Sequence, residues 1–265
     1  MSELSLSKIH QQVVKLIPSI NERLRLGFSK TNKVSYKTSP QLSVSVVTHL
    51  DSQIENFLKK ALKKILPQAG FIGEETGVNV RPEYNWIIDP IDGTLNFANK
   101  IPVFAVSIAL WYKNQPVYTL ASFPISNEII HALKSGGIFL NQKKIKPKFN
   151  RLKQKLLVYS MVGSAEEKQA VFAKICHVSS VPRSYGSCVF HGVNIALGRI
   201  DAGVFVNQAV WDIGAIILLC QEAGLTIKYT SAPPNLGTDN LKTYQYSMVI
   251  GSENLANQLY DHLLF

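Results

Sequence analysis

The chain has 265 residues, 46% apolar and 17% charged, which excludes a disordered polypeptide and fits one large or two small globular domains. No apolar run reaches membrane-spanning length, and MSELSLSKIHQQVVKLIPSI lacks the apolar centre of a signal peptide, so a cytoplasmic location is expected by default. Cys176, Cys188 and Cys220 are odd in number and form no CxxC pair, which excludes a disulfide framework and a structural zinc site, and the net charge of +10 favours anions without choosing among them.

Apolar residues at spacings of three and four from Leu6 to Leu26 predict one amphipathic helix ending near Gly27, followed by a polar loop, SYKTSPQ. The stretch VSVVTHLDSQIENFLKKALKKILP then predicts a second helix, with Ile54, Phe57, Leu58, Ala61, Leu62 and Ile65 on its buried face and Pro67 at its end. Thr48 and Asp51 are candidate caps for it, which leaves Asp51 open between cap and ligand. Next comes FIGEETG, with adjacent Glu74 and Glu75, and then WIIDPIDGTL from Trp86 to Leu95. The Val-, Ile-, Phe- and Tyr-rich stretch from 102 to 145, broken by KNQP and SGG, predicts several antiparallel strands. It runs into a basic segment with Lys143, Lys144, Lys146, Lys148, Arg151, Lys153 and Lys155 and no acidic residue, read either as a solvated loop or as a patch for nucleic acid or an acidic protein. Beyond it the sequence predicts a strand from Lys155 to Ser160, a helix from Ala165 to Cys176 and another from Cys188 to Leu197. A strand from Ala202 to Val206 and a strongly apolar helix from Trp211-Asp212 to Ala223-Gly224 complete the pattern. With no repeat, low-complexity tract or long linker, the economical reading is a single layered α/β domain over 1–265, with two lobes of about 1–150 and 151–265.

Asp89 and Asp92 close an apolar run, where a buried strand opens into a cleft. Two carboxylates this close raise one another's pKa unless a cation lies between them, and an oxygen-ligated divalent ion is the natural partner. DPIDG alone is equally an ordinary strand-end turn, Asp212 alone an acidic residue favoured by a helix dipole, and Glu74-Glu75 alone a solvated turn. Taken together, three acidic sites stand where apolar segments meet loops or helix starts, which suits one cleft edge.

These residues carry a resemblance. FIGEE (Phe71 to Glu75), WIIDPIDGTLNF (Trp86 to Phe97) with FAVSIAL (Phe104 to Leu110), and VWDIGAIILLCQEAG (Val210 to Gly224) resemble the inositol monophosphatase family of magnesium-dependent, lithium-sensitive phosphatases. Weaker matches in KTSP, VVTHLD, SGGIFLNQKKI, RSYGS and GRIDAG extend it over nearly the whole chain. The resemblance implies the sugar-phosphatase fold, an αβαβα sandwich, and two or three Mg²⁺ ions held by Glu74, Asp89, the Ile91 carbonyl, Asp92 and Asp212. It further implies that Thr94, paired with Glu74 and supported by Asp51, orients and deprotonates the attacking water, with Glu75 beside the site or ligating through water. Gly93 and Thr94 would face the phosphate, while Gly186, Ser187 and Cys188, with Asp92 and Asp212, would line the substrate. The chemistry agrees: phosphate monoesters hydrolyse very slowly unaided, so a catalyst must place water in line and neutralise charge on the entering and leaving oxygens.

Inositol-specific members carry a glutamate before the WD motif that binds sugar hydroxyls; here GVFVNQAVWD offers only Asn207 and Gln208, and Cys188 departs from the family's usual segment. The expected substrate is therefore a small phosphorylated alcohol, an inositol phosphate or related sugar phosphate, with a 3′(2′),5′-bisphosphate nucleotide as the alternative. A homodimer is expected by resemblance. Because some bacterial relatives associate with transcription machinery, the basic segment from 143 to 155 is also a candidate contact for RNA or that machinery.

Overall fold

The computed structural model describes residues 5–30, 34–37, 45–149, 153–179 and 181–264. The opening helix is in fact two, α1 (Leu6–Val14) and α2 (Ile17–Ser29). Pro18 cannot return an N–H to the preceding turn, and the Leu16 N–H bonds instead to the Val13 carbonyl at 3.0 Å. The front of the expected polar loop is likewise a strand: β1 (Val34–Lys37) pairs antiparallel with β2 (Ser45–Thr48), and the rest of that loop lies outside the described residues. Helix α3 (His49–Ile65) follows and buries Ile54, Leu58 and Leu62.

Eight strands form the large sheet: β3 (Gly70–Gly73), β4 (Gly77–Asn79), β5 (Tyr84–Asp92), β6 (Ala105–Tyr112), β7 (Gln115–Phe123), β8 (Glu128–Leu133), β9 (Gly137–Leu140) and β10 (Lys143–Ile145). Their order is β10-β9-β8-β7-β6-β5-β3-β4, with only the β3–β5 pair parallel. The expected antiparallel meander is thus present. Its β6–β7 link is Lys113-Asn114, both at positive φ, the backbone of a two-residue hairpin whose twist matches its strands. A short helix, α4 (Thr94–Ala98), leaves the end of β5.

The later part builds β11 (Leu157–Met161), α5 (Ala165–Val178), α6 (Cys188–Ala196), β12 (Ala202–Gln208), α7 (Val210–Ile213), α8 (Ile216–Glu222), β13 (Thr226–Tyr229), β14 (Tyr246–Gly251) and α9 (Glu253–Leu264). The four strands form a second sheet in the order β11-β12-β14-β13. The single helix expected after Trp211 is broken at Gly214-Ala215, and the large sheet supplies the reason. Trp111 Nε1 donates to the Gly214 carbonyl at 3.1 Å and Thr119 Oγ1 to the Ala215 carbonyl at 3.0 Å, so both carbonyls are satisfied outside the helix.

Trp86 and Ile88 pack under α1 to α3 on one face of the large sheet. Ile87, between them, joins the opposite core, which contains α6 to α8 and the inner face of the small sheet. Both faces of β5 are therefore apolar, which is why its sequence is a continuous run and not an alternation. On the outer side of the small sheet, Ile175 of α5 and Leu255 and Leu259 of α9 cover Leu157, Val204 and Val249. The layers run α, β, α, β, α. Among the described residues no helix is long and apolar enough to cross a membrane.

Candidate active site

Along a regular strand, residues three apart point to opposite faces, so Asp89 and Asp92 would diverge. The pairing shows why they do not: Asp89 lies opposite Ser107 and Asp92 opposite Ala105, a bulge that places one extra residue in β5. Pro90 sits within it, where a missing N–H costs no ladder bond. The Ile91 N–H donates to Asp89 Oδ1 at 3.0 Å and pins the turn. Asp89, Asp92 and Asp212 consequently present ligand oxygens all within 4.8 Å of one another.

Each carboxylate is held by backbone or hydroxyl donors. The start of α6 grips Asp92: Cys188 N–H donates to Oδ1 at 2.9 Å, Val189 N–H to Oδ2 at 3.1 Å, and the Ser187 hydroxyl also donates to Oδ2. Asp212, in the first turn of α7, accepts the Ala209 N–H at 2.9 Å, so it serves the helix start, where a dipole favours it, and the cluster as well. Asp51 lies in the first turn of α3. It is 1% exposed and accepts the Thr94 hydroxyl at 3.1 Å, with the Ile91 carbonyl a second acceptor for that hydroxyl at 2.8 Å. The Thr48 side chain lies outside the described residues. Glu74 and Glu75 occupy the three-residue turn between β3 and β4, closed by Gly77 at φ +87°.

The electrostatics follow from this convergence. Burial, then Glu74, Asp92, Asp212 and Asp51, push Asp89 well above the usual carboxylate range. Burial raises Asp92 to about 6 against the pull of the Ser187, Cys188 and Val189 donors, and burial with Asp92 raises Asp212 to about 7. Five acidic side chains from four parts of the chain therefore face one largely buried region. Such an oxygen-only donor set is costly without a cation and suits Mg²⁺.

Gly93, at φ +88°, starts α4 from the left-handed region. A β-carbon there would press on the Val103 and Gly186 carbonyl oxygens at 3.0 and 3.2 Å, so its lack of a side chain serves backbone packing between two turns. Asn96, which the sequence reading missed, joins the same turns: its Nδ2 donates to the Val103 carbonyl at 2.8 Å and the Tyr185 carbonyl at 2.6 Å. Only its place just after DPIDGT hinted at this. Gly186 is exposed, whereas Ser187 and Cys188 are buried. Burial and the charges of Asp212, Asp92 and Asp89 push the Cys188 thiol up, which keeps it from acting as a thiolate nucleophile.

The Asn207 and Gln208 side-chain amides are both engaged within the fold. Gln208 is 2% exposed, accepts the Ser160 hydroxyl at 2.8 Å and donates to the Val206 carbonyl at 2.7 Å. Asn207 donates through Nδ2 to the Val162 carbonyl at 3.0 Å and accepts the Ser247 hydroxyl at 3.3 Å. Both amides stitch β12 to its neighbours.

The sequence matches the inositol monophosphatase family profile over residues 5–261. This chain belongs to the inositol monophosphatase family. Inositol monophosphatase 2 of Solanum lycopersicum is 33% identical over 216 residues, 77% of this chain and 80% of that protein. The crystal structure of extragenic suppressor protein suhB from Bartonella henselae superposes with a TM-score of 0.84 at 25% identity, covering 96% of this chain and 98% of that one. An IMPase/NADP phosphatase complexed with Mg²⁺ and phosphate shares the fold at a TM-score of 0.80 and 19% identity, covering 98% and 96%. The inositol monophosphatase family member described here is a metal-dependent phosphatase, with the three clustered aspartates a fitting Mg²⁺ site.

Away from the site, Lys143, Lys144, Lys146, Lys148 and Lys153 are exposed and Lys155 is half-buried, while Arg151 lies outside the described residues. Cys176 is exposed, Cys188 and Cys220 are buried, and all three are free thiols.

Proposed function

We propose that the chain acts as one domain and hydrolyses a small phosphorylated alcohol, an inositol monophosphate or related sugar phosphate, by attack of water on phosphorus. The observation that carries this reading is the convergence of Asp89, Asp92 and Asp212 within 4.8 Å at the bulged end of β5, beside the Asp51-Thr94 pair. Glu74, Asp89, the Ile91 carbonyl, Asp92 and Asp212 would hold Mg²⁺, with Glu75 adjacent. Once bound, Mg²⁺ supplies charge neutralisation for the phosphate and its leaving oxygen.

The chain's own groups do the rest. Thr94 donates its single hydroxyl hydrogen to Asp51 or the Ile91 carbonyl, which leaves its oxygen lone pairs to accept a hydrogen bond from the attacking water. Glu74 takes the other proton as the water attacks. Gly93 and Thr94 hold the phosphate, and Gly186 to Cys188, with Asp92 and Asp212, line the alcohol. Asp92 already accepts three donors from the start of α6, so a change in the alcohol-lining turn reaches the metal-binding carboxylate directly.

Beyond Asp92 and Asp212 the segment before Trp211 adds no acidic acceptor to the alcohol wall, since it offers Asn207 and Gln208, whose amides bond to Val162 and Ser160. Selectivity among alcohols is accordingly relaxed. A screen of inositol 1-phosphate, glycerol 2-phosphate and adenosine 3′,5′-bisphosphate, with and without Mg²⁺, tests this reading. Comparable kcat/KM for the first two is the expected result; strong preference for the bisphosphate would replace it with a nucleotide phosphatase, and no Mg²⁺-dependent turnover of any would remove it.

A further inference from the structure

On α3, Asp51 and Glu55 lie one turn apart, four residues in sequence, and so share a face of the helix. Both are buried, at 1% and 0% exposure. A buried carboxylate persists only where donors are waiting for it, and each of these two meets a different wall of the active site. Asp51 accepts the Thr94 hydroxyl at 3.1 Å. Glu55 accepts the Glu75 N–H through Oε2 at 2.8 Å and the Thr76 N–H through Oε1 at 2.5 Å, and so binds the turn that carries Glu74. The fit is tight from the other side too, since a β-carbon on Gly73 would collide with the Glu55 carboxylate. A side chain at the residue preceding Glu74 would thus displace the Glu55 carboxylate.

We propose that Glu55 is a positioning residue for the hydrolytic reaction, and that α3 serves as a rigid spacer fixing Glu74, through Glu55, against Thr94, held by Asp51. The proposal rests on the reading above in which Glu74 and Thr94 together activate the attacking water. Glu55 itself touches neither substrate nor water. Its part is to fix the backbone of the Glu74 turn, and misplacement of a reacting group by about 1 Å is enough to cost roughly a hundredfold in rate.

The test is a double-mutant cycle between Glu55→Gln and Glu74→Gln, run under saturating Mg²⁺ with whichever monoester of the screen turns over fastest. Gln keeps the size of Glu55 but replaces one acceptor oxygen with an NH₂ that opposes a backbone N–H. The expected result is a kcat lower by roughly ten- to a hundredfold with KM changed less than about twofold, and no further loss when the change is made in the Glu74→Gln background. Amide hydrogen exchange at Glu75 and Thr76 should accelerate in Glu55→Gln, a readout independent of turnover. Lys59→Met is the control, because it removes a different tie from α3 to this turn, the 3.2 Å bond to Thr76 Oγ1, without touching the Glu75 N–H. It should leave kcat within about twofold.

Native kcat in Glu55→Gln, losses that multiply with those of Glu74→Gln, or an equal loss in Lys59→Met would each overturn the proposal. Full turnover in Glu74→Gln would instead remove the underlying reading of Glu74. Should Glu55→Gln fail to fold, Glu55→Asp keeps the charge, shortens the arm by one methylene and enters the same cycle with the same expected pattern.

Discussion

Replacing Asp212 with Asn separates what this carboxylate does for the metal site from what it costs the fold. Without a cation, burial and the Asp92 charge raise it from 3.8 to about 7, opposed by the Ala209 N–H. Because the folded value is the higher one, the folded chain binds the proton more tightly than the unfolded chain. Stability therefore falls as pH climbs from near 4 to near 7 and levels off above that. At about 1.4 kcal/mol per unit, the charged form costs about 4 kcal/mol at pH 8 and under about 2 kcal/mol at pH 5. Asn has nearly the same shape, accepts the Ala209 N–H through Oδ1 and carries no charge. In the presence of a chelator, the stability of Asp212→Asn relative to the parent should therefore improve by about 2–3 kcal/mol between pH 5 and pH 8. Urea unfolding followed by circular dichroism at the two pH values measures it directly. With Mg²⁺ the parent should gain more stability than the variant, and the variant should lose Mg²⁺-dependent hydrolysis. A difference between parent and variant that is the same at both pH values would refute the account of Asp212 as a carboxylate desolvated among like charges.

Three further outcomes are expected. Thr94→Ala should depress kcat far more than KM, while Thr94→Ser, which restores the hydroxyl facing Asp51, should recover most of the loss; equal effects of the two changes would argue against a role for that hydroxyl. Millimolar Li⁺ should inhibit turnover, measured as phosphate release at fixed Mg²⁺, and complete indifference would count against the proposed metal chemistry. His131 gives an acid limb: burial and the neighbouring His10, stacked on it at 3.9 Å, push it down to about 4. The unfolded chain is then protonated first, so this histidine's stabilising effect is complete above pH 6.5 and declines as pH falls toward 4, by about 2 kcal/mol at pH 5. His131→Phe retains an aromatic partner for Phe139, which stacks on His131 at 4.7 Å, and should make that limb shallower in a pH series of thermal melts, leaving the part due to His191, which burial also pushes down to about 4. An unaltered limb would locate the acid sensitivity elsewhere.

Much of the site was legible because its carboxylates stand at abrupt boundaries. Asp89 and Asp92 end an apolar run, Asp212 opens another, and Glu74 follows a short apolar lead. The feature that makes Asp89 and Asp92 useful together, the bulge opposite Ser107 and Ala105, has no signature in composition, and the spacing of three would by itself send them to opposite faces. The helix errors have a similar cause. Periodicity reports which residues are apolar and overlooks Pro18 at the Lys15-Leu16 break, while the break at Gly214-Ala215 depends on where carbonyls find donors, and Trp111 and Thr119 lie on distant strands. The bonds that Asn207 and Gln208 make to Val162 and Ser160 are likewise hidden, because sequence does not say which way an amide turns.

Glu55 shows this limit most sharply. Sequence reading ranks side chains by their own polarity, so Asp51 and Glu55 look like residues of a solvated or capping stripe beside the apolar face of α3. What buries them is the unsatisfied backbone and hydroxyl of segments that come later in the chain, the N–H groups of Glu75 and Thr76 for one and the Thr94 hydroxyl for the other. A lone carboxylate on a buried face is a local conflict. Two of them at i and i+4, each answered by donors flanking a different reactive group, turn that conflict into a measured separation, because the helix rise between them is about 6 Å and cannot drift. The desolvation of Asp51 and Glu55 is thus offset by the same bonds that hold Thr94 and Glu74 apart at a fixed distance, and stability and catalysis draw on one set of contacts.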